Sequence, residues 1–111
     1  MTKVLLFRTA EGRIRGFSVS GHSGLATEGS DILCAAISSM SQLVINTLTE
    51  DFSVEAEIAV DPQRADLSVK LIRVPEEYGL AADGLLNGYV RELCSLREAY
   101  PQHLSLREKQ A

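Results

Sequence analysis

The chain has 111 residues, 45% of them hydrophobic and 23% charged, with a formal net charge of −4 at pH 7. These values describe one ordinary globular domain, residues 1–111, large enough for a single core. They argue against a general nucleic-acid binder, which would carry a basic face. No apolar run is expected to reach the roughly 20 residues of a membrane span. The apolar start Val4–Phe7 is too short for a signal peptide and is broken by Arg8 and Glu11. The expectation is a cytoplasmic protein with no membrane partner and no direct nucleic-acid partner, in which Cys34 and Cys94 stay as thiols.

Lys3 to Arg8 reads as a first strand, with Val4, Leu5, Leu6 and Phe7 as a short buried run. Thr9-Ala10-Glu11-Gly12-Arg13 is a turn, and Ile14 to Ser20 returns as a second strand, with Phe17 and Val19 on one face. A first helix is predicted from about Asp31 to Thr49. Its apolar stripe is Leu33, Ala36, Ile37, Met40, Leu43, Val44 and Leu48. Val54 to Val60 and Leu67 to Leu71 alternate as two more strands around an Asp61-Pro62-Gln63-Arg64 turn. Clean alternation implies one covered and one wet sheet face. A second helix is predicted from near Pro75 to about Ala99, stopped by Tyr100-Pro101. His103–Arg107 is a candidate short edge strand before a charged tail. The order β-β-α-β-β-α predicts an α+β two-layer sandwich: a mostly antiparallel four-stranded sheet packed on two helices.

The chemistry concentrates in GHSGLATEGSDILCAAISSM, residues 21–40. Gly21, Gly24 and Gly29 punctuate a loop after the second strand, and His22 sits at its start. Ser30 and Asp31 are both good helix N-caps, which would put Cys34 in the first helical turn, near free backbone N–H groups and the positive end of the helix dipole. That setting, with a protonated imidazole close by, favours a thiolate. A cysteine with a base is the minimal apparatus of thiol nucleophilic catalysis. Asp31 is first a cap, and its better chemical role would be to hold His22. Ser38 reads as a helix-surface or packing serine. Cys94 and His103 have no such company and read as structural.

Zinc normally wants three or four protein ligands, and His22 and Cys34 have no CxxC or HxxxH companion, so no metal site is expected. The loop lacks GxxxxGK[ST] and any lysine, so a nucleotide site is not expected either. No cofactor is called for.

Gly21-His22, the glycine-bearing loop, Asp31-Ile32-Leu33-Cys34-Ala35-Ala36 and Ser38 together resemble the ribosomal-processing cysteine protease family, Prp. The twelve-residue step from His22 to Cys34, the β-β-α-β-β-α order and the late Tyr100-Pro101 are similar too. Ser23 stands where the family more often has alanine, and Ser30 where lysine is frequent. The resemblance implies a specific endopeptidase that removes a short N-terminal extension from large-subunit ribosomal protein number twenty-seven, cutting after a pair of aromatic residues. It also implies a homodimer, with a loop between histidine and cysteine that closes over the substrate. Under it, Cys34 is the nucleophile, His22 the general base, and the N–H groups at the helix start stabilise the oxyanion. Two other readings stand beside it. One is a non-catalytic ribosome-assembly or protein-binding module on the same fold, and the other is a hydrolase of small acyl compounds.

Overall fold

Thr2, Val4 and Leu6 alternate onto one side of the first strand and are all buried, which sets the inner face of the sheet. The computed structural model describes residues 1–21, 28–61 and 66–111, with 28–31 described as backbone only. The strands are β1 (Thr2–Arg8), β2 (Ile14–Ser20), β3 (Glu55–Asp61), β4 (Asp66–Arg73) and β5 (Leu104–Gln110). Helix α1 (Glu28–Asn46) follows β2, and α2 (Gly79–Ala99) follows β4. The predicted Asp61–Arg64 turn lies largely outside the described residues.

The sheet has five strands, in the order β3-β4-β2-β1-β5. It is an α+β two-layer fold as expected, but the count of four strands is corrected to five. The segment read as a short edge strand and a charged tail is the seven-residue β5, which pairs parallel to β1 from Thr2↔Leu104 to Arg8↔Gln110. Leu104 is buried and Leu106 packs on the core, while Arg107, Glu108 and Lys109 are exposed. Charges on an outer strand keep it from recruiting another chain, and here they disguise a strand as a tail. The other pairs, β1–β2, β2–β4 and β3–β4, are antiparallel. At Gly16 a Cβ would stand 2.5 Å from the Val69 carbonyl oxygen, so only glycine lets β2 lie this close to β4.

Both helices pack on the inner face. Leu33, Ile37, Val44 and Leu48 of α1 and the following turn meet Leu86, Tyr89 and Leu93 of α2 over Leu6 and Phe17. Full burial of such a side chain contributes about 1.5–3 kcal/mol each. The predicted stripe is wrong at Leu43, which is 64% exposed, while Ser41, outside that stripe, is 1% exposed. Ser41 lies one turn from both Ile37 and Val44, and its hydroxyl is satisfied inside the core by Tyr89 at 2.7 Å. The α-helix stops at Asn46 rather than Thr49 and widens into a π turn over Thr47–Asp51, where Phe52 N–H reaches the Thr47 carbonyl. The second helix also begins later than Pro75, after a 3-10 turn at Glu76–Tyr78.

Two expectations about exposure are corrected. Ile58 and Val60 of β3 are 44% and 63% exposed, on the outermost strand of the sheet. By length and composition alone, Ile32–Asp51 would pass as a membrane span, contrary to the expectation that no such run exists. In the fold one side of that segment fills the core through Leu33, Ile37, Val44, Ile45 and Leu48.

Candidate active site

Cys34 is the seventh residue of α1, half-buried between buried Leu33 and exposed Ala35. Its Sγ lies 3.7 Å from the Thr2 hydroxyl of β1. Thr2 is only 3% exposed, and its backbone N–H donates to the His103 carbonyl at 2.9 Å, just before β5. The sulfur therefore rests on the first residue of β1, which is itself gripped by the start of β5.

The helix begins at Glu28, ahead of the predicted Asp31, so Ser30 and Asp31 are helical residues and not its cap. The four free N–H groups at the head of α1 then end at Ser30. Cys34 is about a turn beyond them, roughly 6 Å along the axis. The helix dipole acts mainly within the first turn, so the expected first-turn setting of the thiol and the expected oxyanion donors at the helix start do not hold. Gly29, read as a loop residue, is also in α1. Ser38, one turn after Cys34, is exposed on the helix surface as predicted. The side chain of Asp31, and residues His22 and Gly24, lie outside the described residues.

At the other end of the loop, Gly21 leaves β2 with φ +78°, a left-handed backbone that favours glycine. A Cβ here would stand 2.8 Å from the Met1 carbonyl oxygen. The Gly21 N–H donates to the Asp66 carboxylate at 3.3 Å, from the first residue of β4. Gly21 is thus pinned against Met1, and Cys34 against Thr2. The last described residue before the loop and the candidate nucleophile meet at two consecutive residues.

Sequence reasoning missed Thr2 and Asp66. Thr2 carried a signal: it falls two residues before Val4, so strand alternation turns it inward, where a hydroxyl needs a partner. Asp66 carried none, since its role depends on the cross-strand neighbours of β4. Asp66 also stands opposite Asp61 in the β3–β4 register, so two carboxylates share this corner. Cys94 is half-buried on α2. Among the described residues, no group of three or more His, Cys, Asp or Glu side chains comes together to hold a metal. A recess of about 900 Å³ over Phe7, Arg15, Lys70 and Ile72 does not include Thr2, Gly21 or Cys34. A smaller groove of about 300 Å³, lined by Ser20, Val60, Asp66 and Leu67, borders the Gly21 corner.

Residues 1–105 match the family described as cysteine protease Prp. The chain belongs to the Prp cysteine protease family. As a Prp protein it is a cysteine protease, a hydrolase that uses a thiol. Its fold is that of the S. aureus ribosomal processing protease Prp solved with a substrate peptide. That structure has a TM-score of 0.86 and 21% identity, and the match covers 98% of this chain and 100% of that one. The S. aureus protease with a covalently linked product peptide aligns at a TM-score of 0.84, again with 21% identity and the same coverage. SMU.848 from Streptococcus mutans aligns at a TM-score of 0.86 and 20% identity, covering 100% of this chain and 96% of that one. No curated protein matches the chain.

Proposed function

We propose that this Prp protein is the processing endopeptidase for large-subunit ribosomal protein number twenty-seven. It removes a short N-terminal extension after a pair of aromatic residues, and it works as a cytoplasmic homodimer without a cofactor. Cys34 is the nucleophile and His22 the general base. His22 takes the thiol proton, the Cys34 sulfur attacks the scissile carbonyl, and His22 returns the proton to the departing amine. Water then hydrolyses the acyl-enzyme. Asp31 and Ser38 support or orient, and Gly21, Gly24 and Gly29 belong to the segment that handles substrate.

The observation that carries this reading is the meeting of Gly21 and Cys34 at Met1–Thr2. His22 follows Gly21 directly in the chain, which supports its pairing with Cys34. The peptide ligands of the S. aureus relatives support a peptide substrate. Support for the dimer comes from Ile32 and Leu43, 61% and 64% exposed and three turns apart on one side of α1.

The test is cleavage of the extended ribosomal-protein peptide, followed by mass spectrometry. Wild type should cut at one bond, while Cys34→Ala and His22→Ala should each lose cleavage. Normal cutting by Cys34→Ala would remove the nucleophile assignment. No cutting by any form, with peptide binding intact, would favour a binding module.

A further inference from the structure

We propose that Thr2 is a positioning residue for Cys34, its hydroxyl donating a hydrogen bond that holds and stabilises the thiolate; this deepens the reading of Cys34 as nucleophile. Three observations carry it. The Thr2 hydroxyl and the Cys34 sulfur are 3.7 Å apart, within hydrogen-bond range for sulfur. Thr2 is a polar side chain turned inward on an apolar strand face and only 3% exposed, next to Val4 and Leu6 at 2% and 0%. Its backbone is fixed from the β5 side, by the N–H bond to the His103 carbonyl and by register with Leu104.

With the thiol protonated, either group can donate. Once the sulfur is anionic it can only accept, and the threonine O–H is then the donor. A hydrogen bond made to the charged form favours that form. The β-branched side chain has restricted χ1 freedom, and strand pairing fixes its backbone, so little orientation is left to lose. Because Cys34 is beyond the free N–H groups of α1, a side-chain donor on β1 does locally what the helix start was expected to do.

The experiment follows iodoacetamide labelling of Cys34 against pH in a Cys94→Ala background, comparing Thr2, Thr2→Val and Thr2→Ser. Valine keeps the branched shape and strand preference and removes only the hydroxyl. Ionisable residues on the elements that meet here include Glu28 and Asp31 on α1, the Met1 amino group and Lys3 at the start of β1, His103 before β5, and Asp61 and Asp66 on β3 and β4. Together with His22 they are the same in all three proteins. Thr2→Val should slow the labelling near neutral pH roughly three- to tenfold. Thr2→Ser should bring it back. Coincident profiles for all three would overturn the proposal, as would a shift that Thr2→Ser fails to reverse. A shifted and rescued profile in a protein that cuts no peptide would uphold the Thr2–Cys34 pairing and remove only the protease reading.

Discussion

Ser41 of α1 and Tyr89 of α2 join their hydroxyls across 2.7 Å inside the core, with the Tyr89 ring 4.8 Å from that of Phe17. Burial pushes the Tyr89 phenol up from 10.0 to about 12, partly opposed by the Ser41 hydrogen bond. A raised phenol keeps its proton better folded than unfolded. The associated stability is therefore complete below pH 10 and is lost as pH climbs from 10 toward 12. Two units correspond to roughly 2–3 kcal/mol. Urea unfolding at pH 8 and pH 11 should show stability falling by about 1 kcal/mol or more. Tyr89→Phe should flatten that fall, while costing about 1–3 kcal/mol at pH 8 by stranding the buried Ser41 hydroxyl.

Gly21→Ala places a methyl 2.8 Å from the Met1 carbonyl oxygen and demands φ near +78° of an L side chain. The left-handed backbone alone costs about 1–2 kcal/mol. Because His22 follows directly, the larger effect is expected on cleavage: at least a tenfold loss of kcat/KM, against a modest drop in Tm. Wild-type turnover in Gly21→Ala would show that this corner does not set the site.

Asp66 holds the Gly21 N–H but faces Asp61 across the hairpin. The hydrogen bond is worth about 0.5–1.5 kcal/mol, and the facing carboxylates cost about 0.2–1 kcal/mol. Asp66→Asn keeps the acceptor and removes the repulsion, so its unfolding free energy should match or slightly exceed wild type. Asp66→Ala loses both, so its stability should stay near wild type while cleavage falls. Equal activity in the two variants would show that the acceptor is irrelevant.

Leu43 is the most exposed large apolar side chain among the described residues of α1. Leu43→Glu should halve the mass seen by light scattering if this side of the helix is the contact between copies. It should leave the melting temperature of the separated protomer within about 1–2 °C of a protomer diluted apart, as surface changes do. An undiminished dimer in Leu43→Glu would place the contact elsewhere.

The layered fold was readable because period-2 and period-3.6 patterns are strong where Val4, Leu6, Phe17, Leu33 and Leu93 enter the core. Three features resisted reading. Ser41 breaks the apolar stripe as a residue type, yet Tyr89, 48 positions away, makes it a core residue. β5 hides behind Arg107, Glu108 and Lys109, which an outer strand tolerates and a sequence pattern counts as tail. The head of α1 starts three residues before Asp31, because good capping residues are also tolerated inside a helix when earlier residues close the first turn. At the site, Cys34 stood out by its company in sequence, whereas strand alternation could turn Thr2 inward but could not name Cys34 as its partner.

The parallel seam between β1 and β5 ties residue 2 to residue 104. The join closes a loop of about a hundred residues, so a long closure entropy has to be met before it forms. The threonine beneath the sulfur thus gains its outer brace only once that distant strand docks. The contact between Thr2 and Cys34 therefore depends on a strand far along the chain from either residue.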